Sequence, residues 1–250
     1  MPPSLHHIRR GLAAGTLIAA SVAAAAAGPV LSAEAQEAAD RARTKVVILK
    51  TARAGGRGVG TGFIAGPRLV ITAGHVVRDA TGITAFLNGV SYPAAVAAAH
   101  PEHDIAILTL KSPELLLKAM EIARGTADLG AGEELVVLAG PSQPAAARGE
   151  PNDRVAIPAL FRRHVRLPGG SGPGAPMLML AASVLRGDSG SPVIRVRDRR
   201  VVGVLSSREL PDASGVSQLA YAVPAEVVQP WLAAAARAGR SEEEFYLFRR

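Results

Sequence analysis

The stretch Leu185–Val193 reads LRGDSGSPV and sets a serine between an aspartate and a glycine, just ahead of an apolar run, SPVIRV (191–196). Gly, Asp and Ser all form turns, so a plain turn is one reading. A nucleophile held on a strained loop is the other. Gly187 permits a backbone in which its own N–H and that of Ser189 point the same way. Such a pair can hold an oxyanion, and each donor of this kind is worth ~3–4 kcal/mol of transition-state stabilisation. Gly190 lets the chain leave the turn without a side chain crowding the hydroxyl.

A hydroxyl is a poor nucleophile near neutral pH and needs a base within hydrogen-bond reach. Upstream, RLVITAGHVV (68–77) sets His75 after a strand and a turn of small residues, which leave the imidazole free to face a cleft. The base needs an acceptor that fixes its tautomer. HPEHDIAIL (100–108) supplies Asp104 at the head of a strongly apolar strand, a poor place for a carboxylate unless a donor meets it.

Outward from these residues the chain is a series of short apolar, β-branched runs separated by Gly, Pro and Asn. They include KVVILK (45–50), GFIA (62–65), RLVIT (68–72), TAFLNGVSY (84–92) with an Asn88-Gly89 hairpin signal, and DIAILTL (104–110). Later runs are ELVVLAG (134–140), RVAIPAL (154–160), PMLMLAA (176–182), SPVIRV, RVVGVLSS (200–207) and QLAYAVP (218–224). Strands at this spacing predict a sandwich or barrel. RDRR (197–200) reads as a tight hairpin, and RLPGGSGPGAP (166–176) as a mobile surface loop. One helix is expected, over about 225–238, entered after Pro224 with Val227, Val228 and Trp231 on its apolar face. A Pro/Gly-rich stretch near 141–151 is expected to divide a first barrel, about 44–140, from a second, about 152–224.

TGF, LVITAGHVV, HDIAIL and GDSGSPV resemble, in this order, the motifs of chymotrypsin-fold (trypsin-like) serine peptidases. The resemblance spans roughly Lys45 to Leu232. It implies an all-β fold of two six-stranded antiparallel barrels and a C-terminal helix. His75, Asp104 and Ser189 would then be the catalytic triad, with Gly187 and Ser189 donating to the oxyanion. Within the family the chain looks nearer the bacterial HtrA/Deg-like and glutamyl-endopeptidase-like branches, because GTGFIAGPRLVITAGHVV reads like their entry strands and cysteines are absent. No PDZ domain is expected after the closing helix.

The family pattern raises two further questions. Asp188 stands where trypsin-like members pair an aspartate with a new N-terminus, yet TKVVI (44–48) offers no such start. Its alternatives are solvent, a local bond or an arginine; activation by cleavage after Arg41 or Arg43 stays open. Substrate choice is the second. The resemblance sets Ser183 at the base of the first specificity pocket, without the carboxylate that selects Lys or Arg. It also lays Ser206, Ser207 and Arg208 along the cleft as an edge strand, with Ser206 near Asp104. A small or medium apolar residue is preferred before the scissile bond, with an acidic one as runner-up.

Residues 1–35 have the layout of a secretory signal: Arg9 and Arg10, an apolar run from Leu12 to Ala27, and a small-x-small site, Ala33-Glu34-Ala35, cut before Gln36. Export, to the periplasm or the medium, is expected, and residues 36–250 suffice for one large all-β domain. The net charge of +7 suggests attraction to anionic surfaces. The basic residues form no long block and accompany no nucleic-acid motif, so no nucleic-acid partner is expected. His100 and His103 flank Glu102, with Pro101 breaking any helix, so they read as surface histidines and not metal ligands. His164 reads as a basic loop residue.

Two functions compete. One is an exported serine endopeptidase acting on protein or peptide through an acyl-enzyme, without metal or cofactor. The other is a catalytically degenerate peptide-binding or scaffold protein on the same barrels. The sequence leaves the oligomeric state open.

Overall fold

The computed structural model describes residues 30–100, 102–112, 117–140, 155–168, 174–208 and 217–247. Twelve strands close two antiparallel barrels of six. The first holds β1 (Val46–Arg53), β2 (Gly56–Ile64), β3 (Leu69–Thr72), β4 (Gly82–Leu87), β5 (Val90–Ala99) and β6 (Ala106–Leu110), closed by the pairing of β1 with β4. The second holds β7 (Glu134–Ala139), β8 (Val155–Leu167), β9 (Ala175–Val184), β10 (Pro192–Arg195), β11 (Val201–Arg208) and β12 (Ser217–Pro224), closed by β10 on β7. The expected all-β architecture is the observed one.

Many of these strands read as continuous apolar runs because both of their faces are buried. Along β1, Val47 and Leu49 point into the first barrel while Val46 joins a cluster shared between the barrels. Along β7, Leu135, Val137 and Ala139 fill the second barrel while Val136 and Leu138 join that same shared cluster. Successive side chains of a strand face opposite ways, so an element wedged between two cores must be apolar at every position. Asn88 and Gly89 take φ of 49° and 83°, the left-handed pair that a two-residue hairpin between β4 and β5 requires.

The barrel boundary lies earlier than the sequence suggests. ELVVLAG opens the second barrel, because β7 pairs with β8 and β10. The Pro/Gly-rich stretch at 141–151 thus lies within the β7–β8 connection and does not divide the barrels; turn-rich composition marks a hairpin as readily as a linker. That stretch and residues 169–173 of the expected mobile loop lie outside the described residues.

Helix α1 (Ala33–Ala42) precedes β1, α2 (Gly74–Val77) follows β3, and α3 (Ala225–Leu247) closes the chain. The α3 helix runs past its expected end; Val228 is buried, and Gln229 donates to the carbonyls of Ile122 and Ala123 at 3.1 and 2.9 Å. The α1 helix was not foreseen. Ser32 caps it, its hydroxyl accepting the Ala35 N–H at 3.0 Å, and Ala35, Ala38, Ala39 and Ala42 are buried at helical spacing. A cut before Gln36 would therefore remove the cap and a buried alanine. Small residues around an x also serve a close-packed helix, which is why the stretch read as a cleavage site.

Among the described residues no helix is long and apolar enough to cross a membrane.

Candidate active site

His75 lies on α2, directly after β3, and Asp104 just before β6. These antiparallel neighbours bring the two together. Both backbone and ring of His75 meet the carboxylate: its N–H donates to Oδ1 at 2.7 Å, and Nδ1 lies 2.7 Å from Oδ2. Gly74 makes the approach possible, since a Cβ there would stand 3.1 Å from Asp104 Oδ1. The second barrel adds a third donor, the buried Ser206, whose hydroxyl lies 2.6 Å from Oδ2.

Burial works to raise the Asp104 pKa, but the hydrogen bonds from His75 and Ser206 and the nearby imidazole outweigh it. The carboxyl titrates below its ordinary range. An ionised Asp104 fixes the Nδ1–H tautomer of His75 and leaves Nε2 with a free lone pair.

Ser189 sits between β9 and β10 in the turn 185–190. Gly187 and Gly190 there have φ of 105° and 89°, a region that favours glycine. Asp188 is buried, and its Oδ2 accepts the Leu185 N–H at 2.7 Å; of the alternatives left open by the sequence, a local bond is thus present. Ser191 donates to the Asp188 carbonyl through both its N–H (3.0 Å) and its hydroxyl (2.6 Å). Among the described residues, the N–H groups of Gly187 and Ser189 donate to no protein acceptor. The Ser189 hydroxyl donates to the Ser206 carbonyl at 3.4 Å, a long bond, while Ser189 and His75 line one cleft of about 560 Å³ between the barrels.

Thr61, which sequence reasoning quoted but gave no role, ties the first barrel to this turn. Its N–H donates to the Ser189 carbonyl at 2.8 Å and its hydroxyl to the Gly187 carbonyl at 2.9 Å. The same hydroxyl accepts the Gly140 N–H at 3.0 Å, and the Thr61 carbonyl accepts the Thr72 hydroxyl at 2.7 Å. Thr61 and Thr72 are polar and fully buried, so their hydroxyls need partners, and these bonds supply them. Thr61→Val is expected to lower kcat about 10- to 100-fold with KM within about threefold, because it loosens the turn without touching substrate. Steady-state kinetics beside a melting curve checks this; an unchanged kcat would remove Thr61 from the site. Arg53 was also missed, and its guanidinium donates to the carbonyls of His75 and Val76 at 2.8 and 2.7 Å.

Of the expected specificity residues, Ser206 meets Asp104, while Ser207 lies exposed on β11 and lines the cleft. Arg208 ends β11, its side chain outside the described residues. Ser183 requires a correction. It faces solvent on β9, its hydroxyl donating to Gln218 at 2.9 Å, and it does not line the cleft. Strand alternation turns its buried neighbour Val184 to the cleft instead.

The rings of His100 and His103 lie tilted to each other with centroids 4.3 Å apart, and His100 meets Trp231 at 4.5 Å. His164 lies on β8 and not in a loop, with Nε2 3.1 Å from the Thr126 hydroxyl.

A profile of the trypsin-like peptidase domain matches residues 60–204. Serine protease Rv3671c of Mycobacterium tuberculosis is 31% identical over 162 residues, 62% of this chain and 37% of that protein. The chain thus spans little more than a third of the length of the curated relatives it matches. The active form of the Rv3671c protease superposes with a TM-score of 0.69 at 26% identity, covering 83% of this chain and 87% of that one. The HtrA-type protease AlgW, solved with a tripeptide, shares the fold with a TM-score of 0.68 at 19% identity, over 82% of this chain and 64% of the other. Matching more than half of the sequence, and with both barrels in place, the chain belongs to the trypsin-like peptidase family.

Proposed function

We propose that the chain is a serine endopeptidase acting through an acyl-enzyme. The observation that carries this reading is the two-point hydrogen bonding of His75 to an ionised Asp104, facing Ser189 across one cleft. A turn about the Cα–Cβ bond of Ser189 frees its hydroxyl from the long bond to Ser206. His75 Nε2 then takes the proton as Oγ attacks the scissile carbonyl. The N–H groups of Gly187 and Ser189, otherwise undonated, hold the oxyanion. His75 returns the proton to the leaving amine, and water releases the acyl group by the same path. Val184 and Leu205 line the cleft beside Ser189, which supports a small or medium apolar residue before the scissile bond.

The degenerate peptide-binding reading is favoured by one feature, the Ser189 hydroxyl turned to Ser206. At 3.4 Å that bond holds the rotamer weakly, so the enzyme reading prevails. Cleavage of internally quenched peptides, abolished by a sulfonyl fluoride, tests it. Well-folded protein that binds peptides and never cleaves them would favour the scaffold.

Export completes the proposal, with the cut moved upstream. The Ser32 backbone N–H donates to Glu134 at 3.2 Å and its hydroxyl caps α1, so a mature chain keeps Ser32. Ala25-Ala26-Ala27 offers a small-x-small site ahead of it. N-terminal sequencing of exported protein is expected to give a start at or before Leu31. A start at Gln36 would contradict this.

A further inference from the structure

The cleft is strongly basic on one side. Arg53 and Arg57 line it from β1 and β2, and Arg186 lines it one residue before Gly187. No aspartate or glutamate is among the described residues that line it. Several arginines outside the cleft have carboxylate partners: Arg41 meets Glu37, Arg195 meets Asp128 and Asp198, and Arg200 meets Glu121. The three in the cleft have none among the described residues. Arg53 donates to two neutral carbonyls, which leave its charge uncompensated, and Arg57 and Arg186 are exposed without a carboxylate partner among the described residues. Three like charges in one concavity repel each other in the free protein. The same arrangement focuses a positive field on whatever enters.

The proposed mechanism gives the field a direction. On that mechanism, with β11 as the edge strand the family resemblance implies, the acyl half of a substrate lies along Ser206 and Ser207. This puts the leaving half on the other side of Ser189, where Arg53 and Arg57 line the cleft with His75. We infer that the cleft selects peptides with acidic side chains within the first few residues after the scissile bond, Arg57 and Arg186 contacting the carboxylates and Arg53 adding fixed charge behind them. This rests on the endopeptidase reading for its direction, whereas the charge preference itself can be measured without turnover.

The test uses Ser189→Ala protein and three fluorescein-labelled octapeptides with a common apolar acyl half. Their leaving halves carry Asp and Glu, Gln only, or Lys only, and a fourth peptide carries its acids in the acyl half. By fluorescence anisotropy at low salt the acidic leaving half is expected to bind about tenfold more tightly than the lysine one, the gap shrinking as salt rises. Adding R57Q and R186Q should cut that ratio to about twofold or less. Adding R162Q and R163Q, the same charge change on exposed β8 positions outside the cleft, should leave it intact. Equal affinities, no detectable binding of the acidic peptide, a ratio insensitive to Arg57 and Arg186, or preference for acids in the acyl half would each overturn the inference. Failure of the endopeptidase reading shows separately, as wild-type protein that cleaves no peptide while the binding preference persists.

Discussion

Ser189→Ala is expected to lower kcat/KM by about 10⁶-fold, the scale seen when a triad nucleophile is removed from other serine proteases. The melting temperature should hardly move. The lost hydroxyl makes one long hydrogen bond, at 3.4 Å, while the turn is held by groups the substitution leaves alone. Those are the Thr61 bonds to the Gly187 and Ser189 carbonyls, the Gly190 N–H on the Leu205 carbonyl, and the two Ser191 donors on Asp188. Residual hydrolysis of about 10³-fold over water should persist, because the oxyanion donors remain. A fall of less than about tenfold in kcat/KM would show that the chemistry uses another group.

Asp104→Asn comes next, with an expected loss of about 10⁴-fold in kcat. Three donors converge on the two carboxylate oxygens: the His75 N–H, the ring Nδ1–H and the Ser206 hydroxyl. An amide has one oxygen, so its NH₂ must face a former donor. Facing Nδ1, it forces the proton onto Nε2, where the ring cannot accept from Ser189.

The same substitution carries a pH signature. The native pKa of Asp104 lies below its unfolded value, so its stabilising contribution is full above the unfolded value and fades as pH falls through the native one. Wild type should therefore lose more stability than Asp104→Asn between neutral pH and about pH 3, a difference readable from melting curves. Parallel loss in the two proteins would mean that Asp104 is not held ionised.

Much of this was readable in the sequence because many of the barrel strands are buried on both faces and turn residues such as Asn88 and Gly89 mark where a strand ends. Uninterrupted apolar runs such as DIAIL and ELVVLAG announce strands without help from tertiary context. The same continuity hides which barrel a strand joins, so β7 was assigned to the wrong side of the boundary. Composition does not encode pairing partners. His75, Asp104 and Ser189 were legible through the small residues around them, which free a ring, a carboxylate or a hydroxyl to face a cleft.

Thr61 was not legible as a strut, because its partners are carbonyls of residues far along the chain. The family resemblance put Ser183 in the pocket, whereas strand parity turns Val184 to the cleft. The α1 alanines satisfy a helix stripe and a signal-peptidase site alike, so the sequence by itself did not announce the helix.

The central claim is that Ser189 is an alcohol activated by His75 and Asp104. Its most direct test is reaction of the folded protein with a fluorophosphonate, followed by peptide mapping in a mass spectrometer. The account predicts a single phosphonyl adduct on Ser189, formed by wild type and absent from Ser189→Ala and His75→Ala. No adduct on well-folded protein from neutral to alkaline pH, or an adduct on any other residue, would contradict it.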